Sequence, residues 1–327
     1  KEIWLKDIKL DPAKLVELGD KSNFWPSNAR ENGPNGPCGP CSEIFFDYGP
    51  TGPEDEHSDP GNDPTGRFSE VWNLVFTQFN RKDGGELEPL PSKNIDTGMG
   101  LERLTAVLQG QKNNYETDLF APILTAIKKH IDPDGKLLTI SQRNTIADHA
   151  RAITVAIHDG VLPSNEGRGY VVKKLIIDST DIVLQAGNAK ANINALVPAV
   201  AQSLQDPYPT LLEKADTIAD IIGNVEDLYS KVRKERIPEL KTELTNIKKL
   251  SGNEQASELG KLIFTFRDTY GLTVPTIMDI VKNTDIDQAA LRKAEEEYQS
   301  LMQKQQEQSR ASSKMTGDVF VNNIDAN

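Results

Sequence analysis

The chain holds 327 residues, 37 of them Lys or Arg and 49 Asp or Glu, for a formal net charge of −12 and a pI near 5.0. A charged fraction of 26% and an apolar fraction of 37% suit a folded globular protein and argue against a disordered one. At about 150 residues per domain the length fits two domains. No apolar run approaches the roughly 18 residues of a spanning helix, and Lys1-Glu2-Ile3-Trp4 carries no apolar signal core, so a membrane partner is not expected.

Residues 26–66 hold 8 of the 19 prolines and 7 of the 23 glycines. Such density of turn formers reads as loops around one short strand at residues 43–48, with the acidic stretch 54–63 as a solvated loop tip. Residues 70–79, with Val71, Leu74, Val75, Phe76 and Phe79, are β-branched and aromatic enough for a buried strand. Lys82-Asp83-Gly84-Gly85 turns the chain, and residues 95–100 form a short strand that runs into a helix at Leu101. From about residue 112 the period changes. Ile146, Ala150, Ile153 and Ile157 share one helix face. Val225, Leu228 and Val232 begin a second stripe, and Leu240, Leu244, Ile247 and Leu250 continue it beyond Ile237-Pro238, where a break or a new helix start is expected. Leu291, Ala294, Tyr298 and Leu301 mark a last helix.

Neither half is basic: residues 1–112 carry net −7 and residues 113–327 net −5. A large non-specific grip on a polyanion is thereby disfavoured. The only cysteines, Cys38 and Cys41, are too few for a disulfide framework and fit a reducing, cytoplasmic compartment. Their C-x-x-C spacing within Gly36-Pro37-Cys38-Gly39-Pro40-Cys41-Ser42-Glu43 lacks a second ligand pair for zinc and the helix of a redox motif, so no metal site is expected. In Asp96-Thr97-Gly98-Met99-Gly100-Leu101-Glu102-Arg103, glycines at 98 and 100 leave one face of a strand open to a ligand. Asp96 suits an ammonium, and Arg103, in the first turn of the helix, suits a phosphate. Asn165, in the loop Asp159 to Tyr170, either caps a helix or reads a base edge.

Together these strings resemble one family. Asn23-Phe24-Trp25, the Gly36 to Glu43 run and Glu70 to Arg81 are similar to the alanyl-tRNA synthetases, and Asp96 to Arg103 looks like the third signature motif of class II synthetases. Asn114 to Phe120, Ile146-Ala147-Asp148-His149, Pro163 to Val171 and Asp268-Thr269-Tyr270-Gly271 continue the likeness in order. The resemblance implies an α+β architecture. A partial class II antiparallel sheet (residues 1–112) would precede an all-helical, tRNA-recognition-like domain (113–311) and a flexible tail (312–327). It also implies ATP-dependent activation of alanine, with magnesium, and transfer to tRNA. Trp25, Asn73, Val75, Asp96 and Gly98 match the alanine pocket, with Asp96 orienting the amino group. Gly100 and Arg103 match the ATP site, where Arg103 offsets phosphate charge. Asn165 and Asp268 match the polar residues that read a wobble pair in the acceptor stem, and Lys173 and Lys174 are the surviving basic pair on the following helix.

The departures are equally specific. The family's first and second class II motifs and its editing domain have no counterpart, and residue 1 is Lys, as in a processed product or a fragment. Asp178 and Asp181 stand where the resembled pattern is rich in arginine, and its Phe-Pro continuation becomes Leu272-Thr273. An alternative therefore stands beside catalysis: a non-catalytic paralogue that acts as a binding or assembly module, with a protein partner completing the sheet.

Overall fold

The computed structural model describes residues 1–312; the rest of the expected tail lies outside the described residues. The architecture is α+β, in two compact units, Lys1–Leu119 and a second that begins at Phe120.

The first unit opens with two short turns (Ile3–Asp7 and Pro12–Lys14), then α1 (Asp20–Asn23), β1 (Phe24–Trp25) and α2 (Ala29–Asn32). Three long strands follow, β2 (Gly36–Asp47), β3 (Phe68–Arg81) and β4 (Leu87–Met99), and then α3 (Leu101–Leu108). The sheet order is β1-β2-β3-β4, antiparallel at every step. The Gly-Pro-Cys run is thus strand, where loop is expected. It pairs on both sides, Phe24 with Pro40 and Cys38 with Phe79, and a register shift between Cys38 and Cys41 absorbs the proline. Gly39 is required there, since a Cβ would lie 1.9 Å from the Phe76 carbonyl oxygen. β3 is half-buried rather than buried, with Val75 its one buried residue. β4 extends well before residue 95, because pairing with β3 resumes at Phe79–Pro89 after an irregularity.

The acidic loop between β2 and β3 is exposed at Glu54, Glu56 and His57, as expected, but not at Asp55. Asp55 is fully buried and organises it, accepting from the N–H groups of Thr51 (2.9 Å) and Gly52 (3.1 Å) and from the hydroxyls of Thr51 (2.9 Å) and Thr65 (2.7 Å). These bonds, led by the Thr51 N–H, hold its carboxyl well below the usual range. Arg67 clamps the loop's base, donating to both Asp47 carboxylate oxygens (2.5 and 2.7 Å) and to the Asp55 carbonyl (2.8 Å).

The second unit is helical: α4 (Ala121–His130), α5 (Ile140–His158), α6 (Gly167–Gln185), α7 (Val197–Ser203), α8 (Thr210–Glu213), α9 (Ala215–Ile247), α10 (Gly252–Asp268), α11 (Val274–Lys282) and α12 (Gln288–Ser312). Thr139 and Gln142 start α5 with a reciprocal capping box, and its stripe Ile146, Ala150, Ile153 and Ile157 is buried as expected. His149 Nδ1 lies 2.9 Å from Ser179 Oγ, tying α5 to α6. The break at Pro238 is not found. α9 runs 33 residues through it, because Leu240, Leu244 and Ile247 beyond the proline are locked into a core with Leu259, Ile263 and Phe266 of α10. One missing N–H is offset by that burial. In the first α9 stripe Val232 packs against the core and Val225 is half-buried, but Leu228 is not inward. Leu228 is 66% exposed, while Ile218, Ile222, Glu226 and Tyr229 face inward. Glu226 is accommodated there because it accepts from the N–H groups of Ile193 (2.8 Å) and Asn194 (3.0 Å).

Asp178 and Asp181 have different fates. Asp178 pairs with Lys174 one turn away. Asp181 is buried and accepts from Tyr229 Oη (2.8 Å), Thr276 Oγ1 (2.7 Å), Gln185 Nε2 (2.6 Å), Thr273 Oγ1 and Arg233 Nη1. It is a junction of α6, α9 and α11, not an exposed acid. Asp181→Ala would leave the Arg233 charge without its buried partner, at a cost of about 3–5 kcal/mol. Asp178→Ala, an exposed-pair change, is expected to stay within about 1 kcal/mol. Chemical unfolding of the two variants checks this contrast.

Candidate functional site

Residues directly opposite on paired strands share a face, as do neighbours at i and i+2. The register pairs Cys41 with Val75 and Val75 with Asp96, and one step along pairs Glu43 with Asn73 and Asn73 with Gly98. Two parallel rows, Cys41–Val75–Asp96 and Glu43–Asn73–Gly98, therefore lie side by side on one face of the sheet. Four of the expected alanine-pocket residues fall in these rows. Gly98 leaves open space, since a Cβ there would meet no atom within 4 Å. Val75 is buried, Asn73 half-buried and Asp96 exposed. Ser42 belongs to the opposite face, where Trp4 Nε1 donates to its hydroxyl at 3.0 Å, so the amino-terminal turn meets the sheet on that side. Trp25, the fifth residue, pairs with Gly39 across the far edge of β2 and is 43% exposed. Two strands separate it from Asp96.

The end of β4 leads directly into the phosphate-type residues. Gly100 N–H donates to the Val71 carbonyl at 3.1 Å, prolonging the ladder by one residue, and Gly100 is the N-cap of α3. Arg103, in the first turn, donates to the Glu70 carbonyl at 2.9 Å and lies 3.5 Å from the Glu70 carboxylate. This half-exposed ion pair is worth little, so an incoming polyanion can displace Glu70 at small cost.

Two side chains of this face, Glu43 and Cys41, were not placed in the site by sequence reasoning. Glu43 accepts from Asn73 Nδ2 at 3.0 Å. An ionised carboxylate has no hydrogen to give, so this bond fixes which way the amide points. Among the described residues, Asn73 Oδ1 is left buried without a hydrogen-bond partner. Burial, and then repulsion from Glu70, pushes the Glu43 carboxyl up. Cys41 donates to the Ser22 carbonyl at 3.3 Å, and burial, followed by Glu43, pushes its thiol to about 11. The signal for Glu43 was its place one residue after Cys41-Ser42 on the same strand, visible only once that run is read as strand. Among the described residues no group of three or more His, Cys, Asp or Glu side chains is arranged to hold a metal ion.

The residues expected to meet RNA all belong to the second unit. Lys173 Nζ donates to Asn165 Oδ1 at 2.7 Å, joining the loop before α6 to that helix, while Lys174 is engaged with Asp178. Asp268 ends α10, exposed, with Arg267 at 3.5 Å. The hydrogen bonds of Asn165 and Asp268 thus run to different partners.

The sheet is antiparallel throughout, its last strand carries Asp96 and the opening at Gly98, and Arg103 follows in the first turn of α3. The chain belongs to the family of class II (A) tRNA synthetases, whose match covers residues 1–326. Within it the chain is similar to alanine–tRNA ligases. That of Pediococcus pentosaceus is 40% identical over 319 residues, which cover 95% of this chain and 34% of that ligase. That of Legionella pneumophila (strain Corby) is 38% identical over 320 residues (97% and 35%), and that of Halorhodospira halophila 37% over 325 residues (97% and 34%). The chain spans about a third of the length of the curated relatives it matches.

Because folding raises the Glu43 carboxyl above its ordinary value of 4.5, the native chain holds that proton more tightly than the unfolded one. Its contribution is therefore most favourable below that value and declines as pH rises through the raised one. Glu43→Gln removes this slope, so the stability of the variant relative to the parent should increase between about pH 4 and pH 7, the range that begins at the ordinary glutamate value. Urea unfolding across that range tests it; a constant difference would contradict the assigned burial effect.

Proposed function

We propose that the chain is the part of an alanine–tRNA ligase that recognises alanine and presents the tRNA acceptor stem, and that it contributes to ATP-dependent alanyl transfer. The carrying observation is the register that sets Asn73 beside Gly98 and Val75 beside Asp96. In this reading alanine lies over Gly98, its ammonium on Asp96, its methyl against Val75, with Asn73 bounding the pocket, while Trp25, separated from Asp96 by two strands, stands outside these rows. Open backbone admits a small amino acid and the carboxylate fixes its polarity. ATP, arriving with magnesium, places its phosphates at Gly100 and Arg103. The alanine carboxylate attacks the α-phosphorus and pyrophosphate leaves. The positive charge of Arg103 offsets charge on the polyphosphate as that bond breaks. A terminal hydroxyl of the tRNA then attacks the carbonyl carbon of the resulting alanyl adenylate, loses its proton, and AMP leaves. Residues 1–112 would form the aminoacylation part and 113–311 the tRNA part, in the cytoplasm, with Asn165, Lys173, Lys174 and Asp268 on the stem.

The test is alanine-dependent ATP–pyrophosphate exchange, with the chain alone and with an added segment bearing the first two class II motifs. Exchange is expected in the supplemented form, reduced about 100-fold by Asp96→Ala, the loss of one charge-assisted ammonium contact. No exchange in either form would remove the catalytic reading.

One observation favours the second reading, a non-catalytic assembly module. Among the described residues no strand pairs with the outer edge of β4, where Ile95 is 67% and Met99 43% exposed. Unpaired edges of this kind accept a strand from another chain. Stable co-purification of a protein lost on Ile95→Lys would favour it. A monodisperse monomer without partner, active in exchange, would count against it.

A further inference from the structure

The turn between α10 and α11 begins at Asp268 and is fastened at three points. Leu272 is buried, and its N–H donates to the Phe266 carbonyl at 3.0 Å. The Tyr270 ring stands edge-on to Phe266 at 5.0 Å, with the Arg236 guanidinium 4.3 Å from its centroid. Thr273 makes the third attachment, and it alone of the three reaches α6. Its hydroxyl donates to Asp181 and accepts from the Thr276 N–H (3.3 Å), while its own N–H donates to Tyr229 Oη (3.4 Å). One hydroxyl therefore caps α11 and anchors the turn to a helix nearly a hundred residues away. Tyr229 and Arg233 hold Asp181 in place from α9. Burial and the adjoining Asp181 charge push the Tyr229 phenol far up, so it remains a donor. Asp181 and Thr273 are also two of the positions at which the sequence departs from the pattern it resembles, and here they are bonded to each other.

We propose that Asp181 is a positioning residue for RNA reading: through Thr273 it sets the turn that presents Asp268 relative to α6, the helix whose leading end presents Asn165 and Lys173. The inference rests on the reading of Asp268 as a stem contact. Neither Asp181 nor Thr273 touches RNA in this scheme. Removing the Thr273 hydroxyl frees the turn without opening the core, since Leu272, Ile277 and Val281 stay buried.

The experiment uses the full chain with Thr273→Val, Tyr229→Phe and, as the conservative control, Thr273→Ser. Two readouts are taken: hydrogen exchange of amides 269–273, and the ratio of affinities for an acceptor-stem hairpin bearing a G–U wobble pair and its G–C counterpart. Thr273→Val and Tyr229→Phe should speed exchange in the turn by about ten-fold, as for loss of one buried hydrogen bond, with α5 unchanged. The affinity ratio should fall toward that of Asp268→Ala, and Thr273→Ser should retain both properties. Unchanged exchange in the two variants would overturn the positioning role. Faster exchange with an unchanged ratio, or a parent chain that binds both hairpins equally, would instead overturn the assignment of Asp268 and the proposal with it. Should Thr273→Val fail to fold, Tyr229→Phe, which keeps the ring, carries the same test.

Discussion

The registration of β2, β3 and β4 is the constraint on which the candidate site depends. Side chains alternate across a sheet, so a slip of one residue between β3 and β4 would carry Asp96 and Gly98 to the face that holds Ser42 and Leu74. The chain specifies this registration with unusual means. Gly39 allows the strands to close where any side chain would strike the Phe76 carbonyl, and a shift between Cys38 and Cys41 resets the pairing just before the site. The buried Asp55 then stiffens the loop that returns the chain to β3. The candidate recognition residues are thus placed by backbone pairing, with the Asn73 amide further held by Glu43.

The helical unit solves its ordering problem by polar convergence. Asp181 gathers donors from α6, α9 and α11, and Glu226 gathers two N–H groups at the start of α7. Both are buried acids with a hydrogen bond at each carboxylate oxygen, and satisfied polar groups of this kind specify one packing arrangement. Because Arg233 pairs with Asp181, only Glu226 of the two acids carries net negative charge from the surface to the interior.

What could be read in the sequence follows the same physics. Helix periodicity identified the buried stripe of α5 and the second half of α9, where apolar spacing is undisturbed. In the first half of α9 it placed Leu228 inward, because the true inward positions include Glu226, a polar residue that a hydrophobic pattern passes over. Composition misread the Gly-Pro-Cys run as loop, since pairing to strands on both sides is a tertiary property. At Pro238 a break or a new helix start is expected from local geometry, and distant packing overrides it. Within the site, the rows joining Asn73 to Gly98 and Val75 to Asp96 were implicit in motif residues. Glu43 was not, because its relevance arises from a contact across 30 residues.

The junction at Asp181 also bears on the history open to this chain. An arginine at 181 would face Arg233 inside the fold, beside a threonine hydroxyl and a phenol that both seek an acceptor. A substitution at 181, 233 or 273 alone leaves a buried charge or polar group without its partner, so a cationic side chain at 181 is accommodated only together with a change at Arg233.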